Sequence, residues 1–142
     1  MAKASRKVAV NRNILSNDGS GTLSIRFDPK LRYALELGAR VEHRNLSNLM
    51  EAAIREYLTK VKLHSYINNE DTISNCIEKL WDVDLPDRLC KLGMIAPHLL
   101  NHDEQKIWKW INERSIYWIE QNIDFQRVRI EWESIVSIAC QK

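Results

Sequence analysis

Residues 22–27 alternate strictly between hydrogen-bonding and apolar side chains, which is the period of a β-strand. One face of this strand would carry Thr22, Ser24 and Arg26, and the other Leu23, Ile25 and Phe27. A lone strand has unpaired edges and an uncovered apolar face, so we expect a partner strand from a second copy of the chain. A two-stranded ribbon is one of the few shapes that fit the major groove of DNA. The segment therefore predicts both a dimer and a ligand.

Residues that could do metal or catalytic chemistry are not arranged for it. His98 and His102 have the i, i+4 spacing of a shared helix face, and Cys90 precedes them, but Pro97 and Asn101 predict a helix boundary within that segment. The sequence has no glycine-rich phosphate loop, GxSxG elbow or HExxH motif. We therefore expect no catalytic residue, metal or cofactor, and a protein that is not an enzyme. One acidic cluster predicts only a solvated loop: Asp82, Asp84 and Asp87.

Composition indicates an ordinary globular protein of one domain or two small ones. The chain has 142 residues, of which 44% are hydrophobic and 28% charged. No apolar run approaches the roughly 18 residues of a membrane span, and residues 1–13 lack the apolar region of a secretory signal. Three scattered cysteines without CxxC spacing are typical of reduced thiols: Cys76, Cys90 and Cys140. These features favour a cytoplasmic protein.

The two halves of the chain differ in charge. Residues 1–63 contain 12 Lys/Arg and 6 Asp/Glu, a net charge of +6, whereas residues 64–142 contain 9 and 13, a net charge of −4. The sign changes close to the point at which the helical pattern breaks. A basic front half and an acidic back half indicate different partners for each.

The front half predicts a basic arm over residues 1–21 and a compact domain over residues 22–67. Asp28 and Pro29 are typical of a helix start, and this helix should run to about Glu42. After a turn at His43, Asn45 should cap a second helix that fades between residues 63 and 68. The buried stripe of that second helix is expected to be Met50, Ala53, Ile54, Tyr57, Leu58 and Val61.

The back half, residues 68–142, predicts an all-α domain for oligomerisation or partner binding. We expect a helix capped by Thr72, a short helix that stops at Gly93, and a turn from Pro97. A longer helix should follow from residue 101 or 102 to about residue 122, and a last one from 124 to 140, with a stripe of Phe125, Val128, Trp132, Ile135, Val136 and Ala139. The tryptophans of the back half could be ordinary core residues, but Trp108 and Trp110 cannot both face the same core of one helix. We therefore predict a partner interface at Trp108, Trp110 and Trp118.

Residues 23–58 resemble the ribbon–helix–helix DNA-binding family of the Arc/MetJ/CopG type. The family pattern is an alternating strand, a helix, a tight turn and a capped helix of the form S/T-x-S-x-x-I-x-x-A-L-x-x-Y. The corresponding stretch here is NLSNLMEAAIREY, residues 45–57. Asn45 replaces the usual Ser/Thr cap, and His43 stands where the family has a glycine in the left-handed conformation. The fold class implied is mainly α: a dimeric ribbon–helix–helix unit followed by the all-α domain.

The resemblance implies roles for individual residues. Two copies would pair their strands and bury a shared core of Leu23, Ile25, Phe27, Leu31, Leu35, Met50, Ala53, Ile54 and Tyr57. The outward side chains of the ribbon would contact bases: Thr22, Ser24 and Arg26. Phosphates would be contacted at the start of the second helix by Arg44, Asn45, Leu46 and Ser47, and from the arm by Lys3, Arg6, Lys7 and Arg12.

These expectations lead to two functional hypotheses. The first is a homodimer, or a higher oligomer, that binds specific sites in double-stranded DNA. Such a protein would be a transcriptional regulator such as a repressor, or a plasmid or mobile-element accessory protein at a transfer origin (conjugation) or partition site. The alternative is an antitoxin-like interaction module, in which residues 68–142 bind a protein and DNA binding is secondary. A bacterial, plasmid or phage origin fits either hypothesis.

Overall fold

A computed structural model describes residues 24–141, which are mainly helical with one small antiparallel hairpin. The helices are α1 (Pro29–Val41), α2 (Leu46–Leu58), α3 (Ile73–Leu80), α4 (Leu85–Ile95), α5 (His102–Asn112) and α6 (Phe125–Cys140). Two 3-10 turns, Pro97–Leu99 and Ser115–Tyr117, flank α5, and the hairpin strands β1 (Trp118–Ile119) and β2 (Asn122–Ile123) precede α6. The described residues form two compact units, 24–78 and 79–141.

The helix starts follow the capping signals of the sequence. The Asp28 carboxylate accepts hydrogen bonds from the backbone N–H groups of Lys30 and Leu31, at 3.1 and 3.3 Å. Thr72 Oγ1 accepts from Asn75 N at 3.3 Å, and Asp124 Oδ1 accepts from Arg127 N at 3.1 Å. The helices predicted after Asp28, Asn45, Thr72 and Asp124 are confirmed at these starts. At α5, Asn101 and Glu104 form a reciprocal capping box.

Helix α2 ends at Leu58, before the predicted fading between residues 63 and 68. Thr59 Oγ1 donates to the carbonyl of Glu56 at 2.6 Å, and the chain then leaves the helix. Residues 61–63 instead pair with 71–73, since Leu63 N donates to Asp71 O at 2.8 Å and Ile73 N to Val61 O at 2.9 Å. Val61 therefore lies outside the helix to which the sequence assigned it.

The loop that follows α2 is tied closed by a buried serine. Ser65 Oγ donates to the Asp71 carboxylate at 3.1 Å and accepts from Asn68 N at 3.0 Å. Leu63 is also fully buried. These bonds join both sides of the boundary that the sequence placed between residues 67 and 68. The compact units divide between residues 78 and 79.

The C-terminal unit has a continuous core between α4, α5 and α6. The core consists of Leu89, Cys90, Leu100, Ile107, Ile111, Tyr117, Ile123, Val128, Trp132, Ile135, Val136 and Ala139. The stripe predicted for α6 is confirmed, because its apolar positions are buried or pack against this core. Burial of this much apolar side chain is the main source of stability for a unit of this size.

Gly93 does not end a helix, which corrects the predicted stop at that position. Helix α4 passes through it and ends at Ile95. A Cβ at Gly93 would overlap the indole ring of Trp108, closer than real Cβ contacts allow. The glycine is therefore the residue that lets α4 pack directly against the indole of Trp108, and its role is in packing rather than capping.

The C-terminal half is not all-α, because the long helix predicted to end near residue 122 stops at Asn112. A 3-10 turn and the β1–β2 hairpin take up the rest, with Trp118 opposite Ile123 and Ile119 opposite Asn122. The segment is rich in β-branched and aromatic residues, which favour strands. The turn places Glu120 at a positive φ of 57°, and Asp124 N closes the hairpin by donating to Tyr117 O at 2.8 Å.

The acidic cluster predicted to be a solvated loop is instead held in ion pairs. Arg129 on α6 makes a bidentate contact with the buried Asp87, with Nε and Nη2 at 2.9 and 3.1 Å from its two oxygens. Lys91 Nζ lies 2.7 Å from Asp82, and this hydrogen bond is the main cause of the lowered pKa of Asp82. These contacts tie α4 to α6 and to its own preceding loop.

A buried tyrosine links the 3-10 turn to α6. Tyr117 is 3% exposed, and its hydroxyl donates to Glu131 Oε2 at 2.7 Å. The other carboxylate oxygen of Glu131 accepts from Arg127 Nε at 3.2 Å. The hydrogen bond from Tyr117 lowers the pKa of Glu131, while burial and the same bond raise the pKa of Tyr117.

The contact between α4 and Trp108 gives a first testable prediction. Alanine normally stabilises a helix interior relative to glycine by about 1 kcal/mol. At Gly93 we expect the opposite sign, a loss of about 1–3 kcal/mol, because the new methyl group overpacks against the indole. Urea unfolding of Gly93→Ala measures this. The matched control is Gly93→Ala in a Trp108→Leu background, where the penalty should fall sharply; an equal penalty in both backgrounds would contradict the packing explanation.

Candidate nucleic-acid interface

The residues expected to contact DNA bases lie just before α1. Ser24 and Arg26 are exposed, and the residues from 24 to 27 belong to neither helix nor strand in this single chain. Thr22, Leu23 and the arm residues Lys3, Arg6, Lys7 and Arg12 lie outside the described residues. The predicted ribbon needs a second copy, so it stays a prediction.

An open cavity of about 600 Å³ lies between this segment and the two helices. Its wall combines apolar and cationic side chains: Ser24, Ile25, Arg26, Phe27, Arg32, Leu35 and Leu46. Arg32 was not among the predicted site residues. Its position in the first turn of α1, directly after the predicted ribbon, could have indicated it from the sequence. Arg32 pairs with Glu36 at 3.4 Å, whereas Arg26 has no carboxylate within ion-pair distance among residues 24–141.

The turn between α1 and α2 has the geometry expected of a glycine but is made with histidine. His43 has φ 52°, as the comparison with the family pattern predicted. His43 N donates to Arg40 O at 3.3 Å, and Arg44 N donates to Ala39 O at 2.9 Å. These two bonds form a Schellman motif, which satisfies carbonyls at the end of α1. The turn therefore fixes how α1 leads into α2.

Helix α2 begins with a strong cap and free donors. Asn45 Oδ1 accepts from Asn48 N at 2.8 Å, which confirms Asn45 as the cap. Within the described part of the chain, no acceptor is bonded to the N–H groups of Leu46 or Ser47. Arg44 is half-exposed beside this cap, with Nε 3.4 Å from Glu42. Free N–H groups and the positive end of the helix dipole together suit a phosphate.

Most of the apolar side chains on α1 and α2 are not buried in the single chain. Only Ala39 is buried on α1, and no residue of α2 is. Among the predicted dimer-core residues, Ile25, Leu31, Ile54 and Tyr57 are 51%, 52%, 53% and 67% exposed, Ala53 is exposed, and Phe27, Leu35 and Met50 are half-buried. The helices approach each other closely at Gly38, where an added Cβ would lie 3.2 Å from Leu49 Cδ2.

The tryptophans expected at a partner interface pack against the core of the C-terminal unit. Trp108, Trp110 and Trp118 are all half-buried there. The rings of Trp108 and Trp118 are 6.3 Å apart at 60°. The most exposed tryptophan is Trp81, 49% exposed, with the Arg88 guanidinium 4.7 Å from its ring centroid.

Of the three residues considered as metal ligands, His98 lies in the 3-10 turn Pro97–Leu99 and His102 begins α5, so the two do not share one helix. Cys90 is completely buried, and burial raises the pKa of its thiol to about 12, which disfavours the thiolate that a metal needs. The carboxylates of Asp82, Asp84 and Asp87 lie within 4.8 Å of one another, but Lys91 and Arg129 already supply the positive charge.

Comparisons of the chain with protein families, with characterised proteins and with solved structures gave no match. Among the helices of residues 24–141, none is both long enough and apolar enough to cross a membrane.

The left-handed His43 gives a prediction on stability. We expect His43→Gly to stabilise the protein by roughly 0.5–1 kcal/mol, because glycine adopts positive φ without the steric cost that a Cβ incurs. Urea unfolding at one protein concentration, followed by far-UV circular dichroism, measures the change. Glu42→Gly is the matched control, since Glu42 has φ −88° and glycine should destabilise there. If His43→Gly were destabilised, the imidazole would have to make a contact that stabilises the protein by more than the strain of its positive φ costs.

Proposed function

We propose that the chain is a ribbon–helix–helix protein that binds double-stranded DNA as a homodimer. The observation that carries the proposal is the α1–α2 connection, in which a left-handed His43 and a capping Asn45 join two 13-residue helices. This order, spacing and turn conformation are those that the family pattern requires. A local match of this kind supports the fold of the unit, and the function follows from the surfaces that the fold presents.

The dimer is supported by the apolar surface that α1 and α2 leave uncovered. Monomeric proteins rarely expose large side chains in such density on adjacent helices. A second copy would cover Leu31, Ile54 and Tyr57, and would supply the partner for residues 24–27. The cavity beside Phe27 and Leu35 would then be filled by the matching residues of the second copy.

Contact with DNA is supported by the polar groups around that surface. Arg26 is exposed and unpaired among the described residues, so its guanidinium is available for the bidentate contact that reads guanine. The free N–H groups at Leu46 and Ser47, with Arg44 beside them, would hold a phosphate and fix the register of the dimer. The basic charge of residues 1–63 would attract the DNA backbone.

Such a protein would act as a site-specific regulator of transcription, or as a plasmid or mobile-element accessory protein at a transfer origin or partition site. Both roles need the same first step, which is the recognition of a short DNA sequence by the dimer. The C-terminal unit would then carry oligomerisation or a protein partner.

Sequence recognition can be tested through Arg26. Selection of bound duplexes from a random pool should enrich a motif with the parent protein. Arg26→Ala should lose roughly tenfold or more of the preference at one base pair per half-site, because a bidentate base contact is worth about 1–3 kcal/mol. Arg55→Ala removes an exposed arginine of α2 that pairs with Glu51, and should keep the motif. A motif selected equally well by Arg26→Ala would rule out Arg26 as the reader.

The dimer can be tested separately from DNA binding. Sedimentation equilibrium of the full chain should give a dimer, and Ile54→Glu should give a monomer, since a carboxylate cannot be buried unpaired in the interface. Glu56→Lys is the control on the polar side of α2, and should remain dimeric. A monomeric parent chain at micromolar concentration, or a dimeric Ile54→Glu, would contradict the proposed interface.

A further inference from the structure

A small cationic cleft lies within the C-terminal unit, between α5 and the end of α6. Its volume is about 280 Å³, and its wall consists of Lys106, Lys109, Trp110, Glu113 and Arg114 on one side and Ala139 on the other. Residues 79–141 contain eight Lys/Arg and ten Asp/Glu, so this unit is acidic as a whole. A concentration of three cations around one cleft therefore stands out from its surroundings.

Arg114 is held in place before any ligand arrives. Its guanidinium carbon lies 3.1 Å from the centroid of the Trp110 ring, and its Nη1 donates to the Trp110 carbonyl at 2.8 Å. The Trp110 side chain is itself half-buried against the core of this unit. No carboxylate of the described residues lies within ion-pair distance of Arg114. The remaining N–H groups of a fixed, unpaired guanidinium can bind an oxyanion at little further entropy cost.

The two lysines of the cleft are only loosely paired. Lys109 Nζ is 3.8 Å from Glu113 Oε1, and Lys106 Nζ is 4.0 Å from Asp103 Oδ1. Both distances exceed a hydrogen bond, so each ammonium keeps donors for another acceptor. Together with Arg114, and with Glu113 as the opposing charge, the wall of the cleft carries a net charge of +2.

We infer that this cleft is a binding site for a small phosphate-bearing molecule. A phosphomonoester carries a charge of about −1.5 to −2 at neutral pH and three strong acceptor oxygens, which matches a wall of three cations and one carboxylate. Arg114 would contact two of the oxygens through its planar fork, and Lys106 and Lys109 would contact the third. The volume lies just below the usual range of about 300–1,000 Å³ for drug-sized ligands, which favours a compact ligand.

Calorimetric titration of the full chain in a low-salt buffer tests the inference, with inorganic phosphate as the probe and succinate as the carboxylate comparison. Phosphate should bind saturably at one site per chain and more tightly than succinate. Arg114→Gln should weaken phosphate binding roughly tenfold or more, because it removes charge-assisted hydrogen bonds. Lys109→Gln, at a side chain that is 75% exposed and does not support the fold, should weaken it several-fold.

The matched control is Lys60→Gln, which removes one exposed lysine and its pairing with Glu56 in the other unit. This variant should bind phosphate as the parent does. Parent-like binding in both Arg114→Gln and Lys109→Gln would place the phosphate elsewhere and overturn the inference. The absence of saturable binding by the parent, or tighter binding of succinate than of phosphate, would overturn it as well. If Arg114→Gln fails to fold, Lys109→Gln against Lys60→Gln still decides between these outcomes.

Discussion

Helices α1 and α2 leave most of their apolar side chains exposed or only half-buried, and this is the constraint on which the N-terminal unit depends. Each helix has 13 residues, close to the length at which isolated helices are marginal in water. The caps at Asp28 and Asn45 and the bonds around His43 fix the geometry, but they bury almost no apolar surface. Local interactions thus specify the shape of the unit, and on the proposed dimer the association of two copies supplies the burial.

The sequence predicted where helices begin better than where they end. A cap is a local signal, since Asp28, Asn45, Thr72 and Asp124 each bond to backbone only two or three residues away. Helix ends depended on distant contacts. Glycine is typical of a helix end, yet α4 continues through Gly93 because that position packs against Trp108, fifteen residues later in the chain. The end of α5 at Asn112 and the hairpin after it depend on pairing of Trp118 with Ile123.

The same distinction applies to the two candidate sites. The turn conformation at His43 and the cap at Asn45 could be assigned from sequence because both are set by neighbouring backbone. The proposed partner strand and DNA lie outside the chain. The cleft of Trp110 and Arg114 could not be predicted. Its residues meet Ala139 only because α5 packs on α6, and a pattern of apolar positions does not say which polar side chains that packing gathers. Likewise, the sequence predicted a solvated loop carboxylate at Asp87, because it does not show that α6 places Arg129 beside it.

The hydrogen bond between Tyr117 and Glu131 makes the stability of the C-terminal unit depend on pH at both the acid and the alkaline end. This bond lowers the pKa of Glu131 in the folded protein. The ionised Glu131 therefore contributes fully to stability above the ordinary glutamate pKa, and this contribution is lost as the pH falls through the lower, folded value. The pKa of Tyr117 is raised, by burial and by the same bond, so its contribution is complete below the ordinary tyrosine pKa and is lost as the pH rises through the higher, folded value. A single hydrogen bond between two side chains fourteen residues apart therefore makes this unit less stable both when acid protonates Glu131 and when alkali deprotonates Tyr117.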